Sequence, residues 1–444
     1  MQFDGRVPTI RDRVMQALVK LALEAEWESR FEANSYGFRP GRCTIDAATA
    51  AYKVLVQTAG GWVLDADIAG CFDNISHEAL LARLPVFTMT IRRWLKAGVV
   101  ELGTWKATDT GTPQGGIISP LLANIALDGM ERLFDAEKRD GRPKRPCFRR
   151  GPNRGVSLIR YADDFIVTAP TRECLEGYVK PKLEAFLAMR GLAFSEAKTH
   201  VVNVDDGFDF LGFTIRKLSG KLLTRPQKEK MLAYLRGIGE FLRENRQAPT
   251  AVVIKQLIPV IRGWSAYYRH GASSRAFSYA DYRLWMMLWS WAKRRHPTKS
   301  LVWVKRRYFA RARGRDWTFY WGTSGKTGMT LPRHCDMPFI RHIKVAGRNS
   351  PLNPDLRAYW DARRAVRLAK ESYSKRRKRL LKLQGHVCAE CGVPFDPDDD
   401  KELMQVQRIK PRRKAGDDAD GSPLLVHRWC HHQHQRSGNH AAEA

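Results

Sequence analysis

The chain of 444 residues contains 76 lysines and arginines against 46 aspartates and glutamates, which gives a formal net charge of +30. Its content of 43% hydrophobic and 10% aromatic residues excludes a chain that is disordered throughout, and its length predicts about three domains. The positive excess favours nucleic acid as the partner, because cations crowded on one surface repel each other unless an anion shares it.

The first 220 residues show mixed helix and strand patterning. Apolar residues at helical spacing predict a helix from Arg11 to Phe31. The apolar run from Gly61 to Ile68 predicts a strand, and the segment from Ser76 to Leu84 predicts a helix that Ser76 caps. This alternation of strands and helices indicates a layered α/β or α+β domain.

Two adjacent carboxylates, Asp163 and Asp164, lie between two apolar runs, a pattern that predicts the tight turn of a β-hairpin. Adjacent carboxylates repel each other unless a divalent cation neutralises them. Asp67, at the end of the predicted strand, is the candidate third carboxylate of a two-metal site for in-line phosphoryl transfer. An Asp-Asp pair alone is more often a solvated turn, so it is the combination that points to catalysis.

The region from residue 226 to 295 has a helical period and many large aromatic residues, which predicts a helical domain whose rings mostly pack between helices. The run from Lys293 to Arg315 holds ten basic residues and no acidic one, and the run from Arg363 to Lys382 holds ten basic residues with one acid, Glu371. Such runs are either solvated faces or nucleic-acid contacts. Interleaved aromatic residues favour the second reading, because cations hold phosphates while rings stack on bases.

Three of the eight cysteines lie close to a histidine near the C-terminus. Cys388 and Cys391 form one pair of candidate ligands, and His427 and Cys430 form another. These spacings suit a closed tetrahedral structural Zn²⁺ site, and a reducing compartment favours metal over disulfides. The alternative is that they are free intracellular cysteines.

Six motifs, in order along the chain, resemble those of the reverse transcriptase and maturase proteins encoded by bacterial group II introns. They are Pro8–Arg13, Ser35–Gly41, Asp67–Asp73, Gly111–Gly116, Tyr161–Asp164 and Phe210–Phe213. The segment Arg262–Tyr268 resembles the maturase domain of that family. Several independent motifs in the right order make the resemblance specific.

The resemblance implies an α+β fold of the right-hand polymerase type. It places fingers and palm at 1–220, a helical thumb and maturase domain at 221–322, and a basic DNA-binding region or linker at 323–382. Residues 383–444 resemble the small HNH endonuclease module (ββα-metal) that many of these proteins carry.

The resemblance also implies roles for single residues. Asp67, Asp163 and Asp164 would be the catalytic carboxylates that hold two Mg²⁺ ions, assisted by the main-chain carbonyl of Ile68. Residues that would contact the nucleotide and template are Phe72, as the gate against a 2′-hydroxyl, together with Gln114, Gly115 and Lys198. The expected RNA-binding residues within the first basic run are Lys305, Arg306 and Arg307.

Two departures from the family qualify these expectations. The chain starts immediately before the first motif, so the finger strands that typical members carry there are expected to be missing and template and nucleotide to be held poorly. In the HNH-like module, Gln407 and Arg408 stand where the family has paired histidines, and neither can accept a proton at neutral pH. His431 and His434 remain candidates for a catalytic metal site or for structural residues.

The sequence therefore predicts an RNA-directed DNA polymerase and intron-binding maturase that acts in splicing and retrohoming. The alternative is a non-catalytic splicing cofactor with a degenerate polymerase and an inactive nuclease. Its expected partners are group II intron RNA, target DNA and dNTPs. A membrane is not expected, because no segment approaches the roughly 18 apolar residues of a span and no signal peptide is recognised. We expect a bacterial cytoplasmic protein that is associated with the nucleoid when bound to DNA.

Overall fold

The computed structural model describes residues 9–57, 61–101, 104–106, 108–112, 115–134, 155–312, 314–322, 328–370, 375–395, 404–408, 423–427 and 430. Contacts divide the chain into two compact units, Met1–Leu352 and Asn353–Ala444. Within these ranges, no helix is both long and apolar enough to cross a membrane.

The first part of the first unit mixes helices and strands, as the sequence predicts. In chain order these elements are α1 (Ile10–Arg30), α2 (Thr44–Gln57), β1 (Trp62–Asp67), α3 (Cys71–Asn74), α4 (His77–Leu81), α5 (Thr88–Leu95), β2 (Val99–Glu101), β3 (Thr104–Lys106), α6 (Ser119–Leu127), β4 (Ser157–Tyr161), β5 (Asp164–Ala169), α7 (Arg172–Cys174), α8 (Lys180–Ala188), β6 (His200–Asn203), β7 (Phe208–Phe210), β8 (Phe213–Leu218) and β9 (Lys221–Pro226). The predicted first helix, first strand and β4–β5 hairpin are therefore confirmed.

The central sheet has four antiparallel strands in the order β4-β5-β1-β6. Alternation along β1 sends Leu64 and Ala66 to one face and Val63 to the other. Leu64 and Ala66 belong to a core that includes residues of α6 and α8, whereas Val63 packs in a core that includes Ile215 of the β7-β8-β9 sheet. Both faces of the sheet are therefore buried, which holds the end of β1 in a defined place.

The predicted helical region is also confirmed. Its elements are α9 (Lys228–Glu244), α10 (Thr250–Tyr268), α11 (Ser274–Arg295), α12 (Leu301–Tyr308), β10 (Phe309–Ala312), β11 (Arg315–Trp321) and β12 (Met329–Thr330). Most of the large aromatic residues pack between helices, as expected: Trp291 is 4% exposed, and the Trp264 ring stacks on Tyr234 with centroids 4.8 Å apart. Tyr282, at 57% exposed, is an exception.

The second unit contains α13 (Arg357–Lys370), α14 (Lys375–Leu383), β13 (Met404–Arg408) and β14 (Pro423–His427). The two strands form an antiparallel pair in which Met404 lies opposite His427. Leu380 and Leu381 of α14 pack in one small core with Leu425 of β14. This unit has its own core, although it is small.

One helix end differs from the expected one. The helix capped by Ser76 ends at Leu81 rather than Leu84, because Leu84 precedes Pro85 and a residue before proline is disfavoured in a helix. The boundary between the compact units lies after Leu352, inside the segment 323–382 that the sequence assigned to a basic region or linker.

Candidate active site and metal centre

The strand register brings two of the three predicted catalytic carboxylates together. β1 and β5 are antiparallel, and Asp67, the last residue of β1, lies directly opposite Asp164, the first residue of β5. Asp163 lies in the two-residue turn between β4 and β5, preceded by Ala162 at a positive φ of 59°. Asp67 thus meets the Asp163–Asp164 pair, which is distant from it in sequence, at one edge of the central sheet.

The electrostatics of this edge are those of a site that needs a cation. Burial, together with the charges of Asp67 and Asp163, raises the pKa of Asp164 to about 6, although Lys198 opposes the shift. Lys198 donates from Nζ to Oδ2 of Asp67 over 2.7 Å, and this hydrogen bond raises the pKa of the lysine. The predicted nucleotide-contacting lysine therefore lies at the carboxylates and carries the positive charge there.

A fourth carboxylate, Asp65, belongs to the same cluster and was not predicted. It shares the face of β1 with Asp67, since side chains two residues apart on a strand point the same way. Burial and then the charges of Asp164, Asp209 and Asp67 raise the pKa of Asp65 to about 7. The signal for it in the sequence was the alternation of aspartates at the end of an otherwise apolar strand.

A buried arginine that the sequence analysis also missed anchors the catalytic hairpin. Arg160 of β4 is fully buried and donates to the Ala162 carbonyl (3.0 Å), to Asn124 Oδ1 (2.9 Å) and to Ser35 Oγ (2.8 Å). A side chain at Gly37 would place its Cβ 2.3 Å from the amide nitrogen of Ala162, so only glycine allows this approach. Contacts with the Ser35–Gly41 motif thus hold the turn that carries Asp163 in place.

The position of Phe72 is determined by a second loop. Phe72 lies in α3, half-buried, and its ring meets that of Phe38 edge to face with centroids 6.3 Å apart. The amide of Thr112 donates to the Phe72 carbonyl over 2.6 Å, and Gly111 has a φ of 83° where a Cβ would lie 2.5 Å from the Asp73 carbonyl oxygen. The start of the Gly111–Gly116 motif is therefore fastened to the helix that carries Phe72.

For the remaining predicted site residues, the structure gives only features of the backbone. The Ser195 amide donates to the Asp67 carbonyl, and the Ala69 amide donates to the Ala193 carbonyl. These two backbone hydrogen bonds do not use the Ile68 carbonyl. Gly115 is exposed with a φ of 84°. Gln114 lies outside the described residues.

The four predicted zinc ligands converge in the second unit. The ligand atoms of Cys388, Cys391, His427 and Cys430 all lie within 4.8 Å of one another. The sulfur atoms of Cys388 and Cys430 are 3.8 Å apart, the separation of about 3.8 Å expected for two sulfurs on a tetrahedral zinc with bonds of about 2.3 Å. Burial would raise the pKa of Cys388, but the backbone amides of Cys391 and His427 lower it to about 7 and so favour the thiolate that binds metal. This donor set fits a structural zinc ion.

The segment that contains Gln407 and Arg408 forms a strand. Gln407 and Arg408 lie in β13, opposite Leu424 and Pro423 of β14. His431 and His434, the candidates for a second metal site, lie outside the described residues.

The predicted RNA-binding residues Lys305, Arg306 and Arg307 lie on α12. All three are exposed, whereas Val304 and Tyr308 of the same helix are buried in the core of the helical region. Lys305 Nζ lies 4.5 Å from the centroid of the Trp317 ring. The helix thus exposes three basic side chains, of which Lys305 also contacts Trp317, while Val304 and Tyr308 pack in the core.

Two family matches cover most of the first unit. Residues 6–215 match the reverse transcriptase (RNA-dependent DNA polymerase) family, and residues 231–309 match the group II intron maturase-specific domain.

Similar proteins with curated sequences include protein YkfC of Escherichia coli, which is 32% identical over 48% of this chain and 63% of its own length. The group II intron-encoded protein LtrA of Lactococcus lactis is 30% identical over 50% of this chain and 46% of LtrA. The chain thus matches roughly half to two thirds of the length of these relatives. The chain therefore carries a reverse transcriptase domain followed by a group II intron maturase domain, and about half of it is homologous to LtrA.

Proposed function

We propose that this protein is an RNA-directed DNA polymerase and an intron RNA-binding maturase of a group II intron. The observation that carries the polymerase is the register that sets Asp67 beside Asp164, with Asp163 in the adjoining turn and Lys198 on Asp67. The homology to the group II intron-encoded protein LtrA supports the intron RNA as partner. Target DNA and dNTPs are the further partners that this function requires.

The residues fit a pair of Mg²⁺ ions, because Asp164 has a raised pKa that a bound cation would lower again. Asp67, Asp163 and Asp164 would hold these ions, with the Ile68 carbonyl as an additional ligand. Bound Mg²⁺ would stabilise the charge that develops on the attacking and leaving oxygens of phosphoryl transfer.

The side chains around the carboxylates have separate tasks. Lys198, whose side chain is 70% exposed and bonded to Asp67, would approach the incoming triphosphate. Phe72 would close the sugar side of the site, because its helix is fixed by the Gly111–Thr112 loop. Arg160 keeps the hairpin turn in place during turnover.

The decisive test is primer extension on an RNA template with Asp163→Asn. We expect dNTP incorporation to fall on the order of a thousandfold or more, because losing a metal ligand removes several kcal/mol of transition-state stabilisation. RNA affinity should stay nearly unchanged, because dispersed cations hold the RNA.

Asp206→Asn, in an exposed turn of the same domain, is the matched control and should extend primers like the parent. Incorporation by Asp163→Asn within about tenfold of the parent would contradict the assignment. An unmutated protein that binds RNA but incorporates nothing would instead favour the non-catalytic splicing cofactor.

We further propose that the domains follow the ranges implied by the sequence, with fingers and palm at 1–220 and thumb and maturase domain at 221–322. Residues 323–382 are proposed to be a basic DNA-binding region or linker, and residues 383–444, within the second unit, an HNH-like module that binds zinc structurally and does not cut DNA. Support comes from the four converging ligands and from Gln407 and Arg408, which leave β13 without a proton acceptor near neutral pH.

A further inference from the structure

A second concave site lies in the first unit, lined by none of the catalytic carboxylates. Helix α2, the β8–β9 hairpin, the turn between α10 and α11, and the extended segment 335–343 enclose a cavity of about 870 Å³. Its volume falls in the range of roughly 300–1,000 Å³ that small-molecule sites occupy. The walls are positioned by hydrogen bonds: the Ile340 carbonyl accepts from His270 Nδ1 over 2.7 Å, and the Ala272 amide donates to the Thr224 carbonyl over 2.7 Å.

The floor of the cavity is apolar and aromatic. Ile45 of α2, Phe213 of β8 and Phe277 of α11 line it and are buried. Tyr52 and Phe339, which also line it, are 39% and 63% exposed. Two aromatic rings therefore lie open to solvent beside an apolar floor, an arrangement on which a planar base can stack.

The charge around the cavity has one sign. Lys53, Arg269 and Arg341 contribute to its lining, and among the described residues that line it there is no aspartate or glutamate. Arg341 is exposed and Lys53 lies on the exposed side of α2, so both cations are open to solvent at the cavity. Such a concentration of positive charge is complementary to phosphate.

We propose that this cavity binds one unpaired nucleotide of the RNA partner, with its base among Phe213, Phe277 and Tyr52 and its flanking phosphates on Lys53 and Arg341. The inference rests on the proposed RNA-binding function and adds a specific site to it. Proteins recognise RNA chiefly at unpaired nucleotides, whose bases are free to leave the stack and enter a pocket. A cavity with an aromatic floor and a cationic rim meets both requirements.

The test compares two fluorescein-labelled RNA duplexes that are identical except for one unpaired uridine, using anisotropy on the full chain. The unmutated protein should bind the bulged duplex at least about fivefold more tightly, the lower end of what stacking of one base contributes. Thr49→Trp and Ser274→Trp, which fill the cavity from α2 and from α11, should each abolish that preference while changing affinity for the paired duplex by less than about twofold. Thermal melting by circular dichroism checks that both variants fold.

A charge-matched pair of variants provides the control. Lys53→Ala/Arg341→Ala should lose the preference for the bulge, whereas Arg172→Ala/Lys182→Ala, which removes two cations at α7 and α8, should keep it. Equal binding of both duplexes by the unmutated protein, or a preference that survives in both folded tryptophan variants, would overturn this inference alone. If ATP binds the unmutated protein and not Thr49→Trp while the duplexes bind equally, the occupant is a free nucleotide and the RNA assignment is wrong. Binding of neither duplex would overturn the proposed RNA-binding function as well.

Discussion

At the scale of single residues, the candidate active site is a group of negatively charged side chains that the fold brings close together. Asp67, Asp163 and Asp164 lie at one sheet edge, and Lys198 offsets part of their charge through a 2.7 Å contact with Asp67. Without a divalent cation, this repulsion opposes folding. The site is therefore built for the ion it is proposed to bind and not for the stability of the metal-free chain.

We expect Asp164→Asn to stabilise the metal-free protein at neutral pH. The pKa of Asp164 rises from 3.8 to about 6 on folding, so the folded state holds a proton that the unfolded state has released, and this group makes stability fall as pH rises from about 4 to 6. Removing the charge should add about 1–2 kcal/mol to the free energy of unfolding at pH 7.5 in EDTA, and nothing near pH 3. Urea denaturation of both proteins between pH 3 and pH 7.5 measures this difference in the free energy of unfolding.

Asp206→Asn, from an exposed turn, is the control and should show no such pH-dependent gain. Adding Mg²⁺ should reduce the gain in unfolding free energy at pH 7.5, because a bound cation would relieve the same repulsion between carboxylates. A loss of stability in Asp164→Asn at pH 7.5 in EDTA would mean that the carboxylate is already neutralised by protein groups.

At the scale of elements, α12 uses one set of side chains for packing and presents another set for the proposed RNA binding. Val304 and Tyr308 are buried in the helical core, while Lys305, Arg306 and Arg307 are exposed on the same helix. Ser300 caps the helix by accepting from the Trp303 amide over 3.3 Å. The basic side chains can therefore be removed without disturbing the residues that hold the helix in place.

Replacing Lys305, Arg306 and Arg307 together by alanine should weaken RNA binding and flatten its salt dependence. The slope of log affinity against log salt should fall by roughly 0.7–0.9 per lost phosphate contact, because fewer counterions are released. A salt titration of a labelled RNA measures both quantities, with unchanged thermal melting as the check on folding.

Arg172→Ala/Lys180→Ala/Lys182→Ala removes the same charge from α7 and α8 and should leave the slope close to that of the parent. If affinity and slope are unchanged in the α12 variant, these side chains only solvate a helix.

At the scale of the whole molecule, the two compact units are held together internally by different means. The unit Met1–Leu352 contains extensive apolar cores, whereas the described residues of Asn353–Ala444 form one small core beside the cluster of Cys388, Cys391, His427 and Cys430. A unit with so little apolar core depends on metal binding for its folding free energy. Loss of metal should therefore affect the second unit alone.

Metal analysis should find about one zinc ion per chain, and Cys388→Ser/Cys391→Ser should lose it. In that variant, proteolysis should become rapid within residues 353–444, while primer extension by the first unit continues. The intact protein should not nick supercoiled plasmid with Mg²⁺ or Mn²⁺, because Gln407 and Arg408 cannot act as a base.

Cys174→Ser, a half-buried cysteine of the first unit, is the control and should keep its zinc. Robust nicking that disappears in His431→Ala would show that the strand of Gln407 and Arg408 is not the catalytic one.

The sequence by itself predicted the first helix and strand, the β4–β5 hairpin and the helical region, because each depends on local pattern. It also marked Asp67, Asp163 and Asp164 as candidate catalytic carboxylates, through the combination of local pattern and family resemblance, and Cys388, Cys391, His427 and Cys430 as candidate zinc ligands. Only the tertiary structure decided that β1 and β5 pair with Asp67 opposite Asp164. It alone also decided that Lys198 donates a hydrogen bond to Asp67. Long-range register depends on the packing of both sheet faces, which no local pattern encodes. The buried Arg160 anchor and the cavity beside Phe277 are likewise products of distant segments meeting.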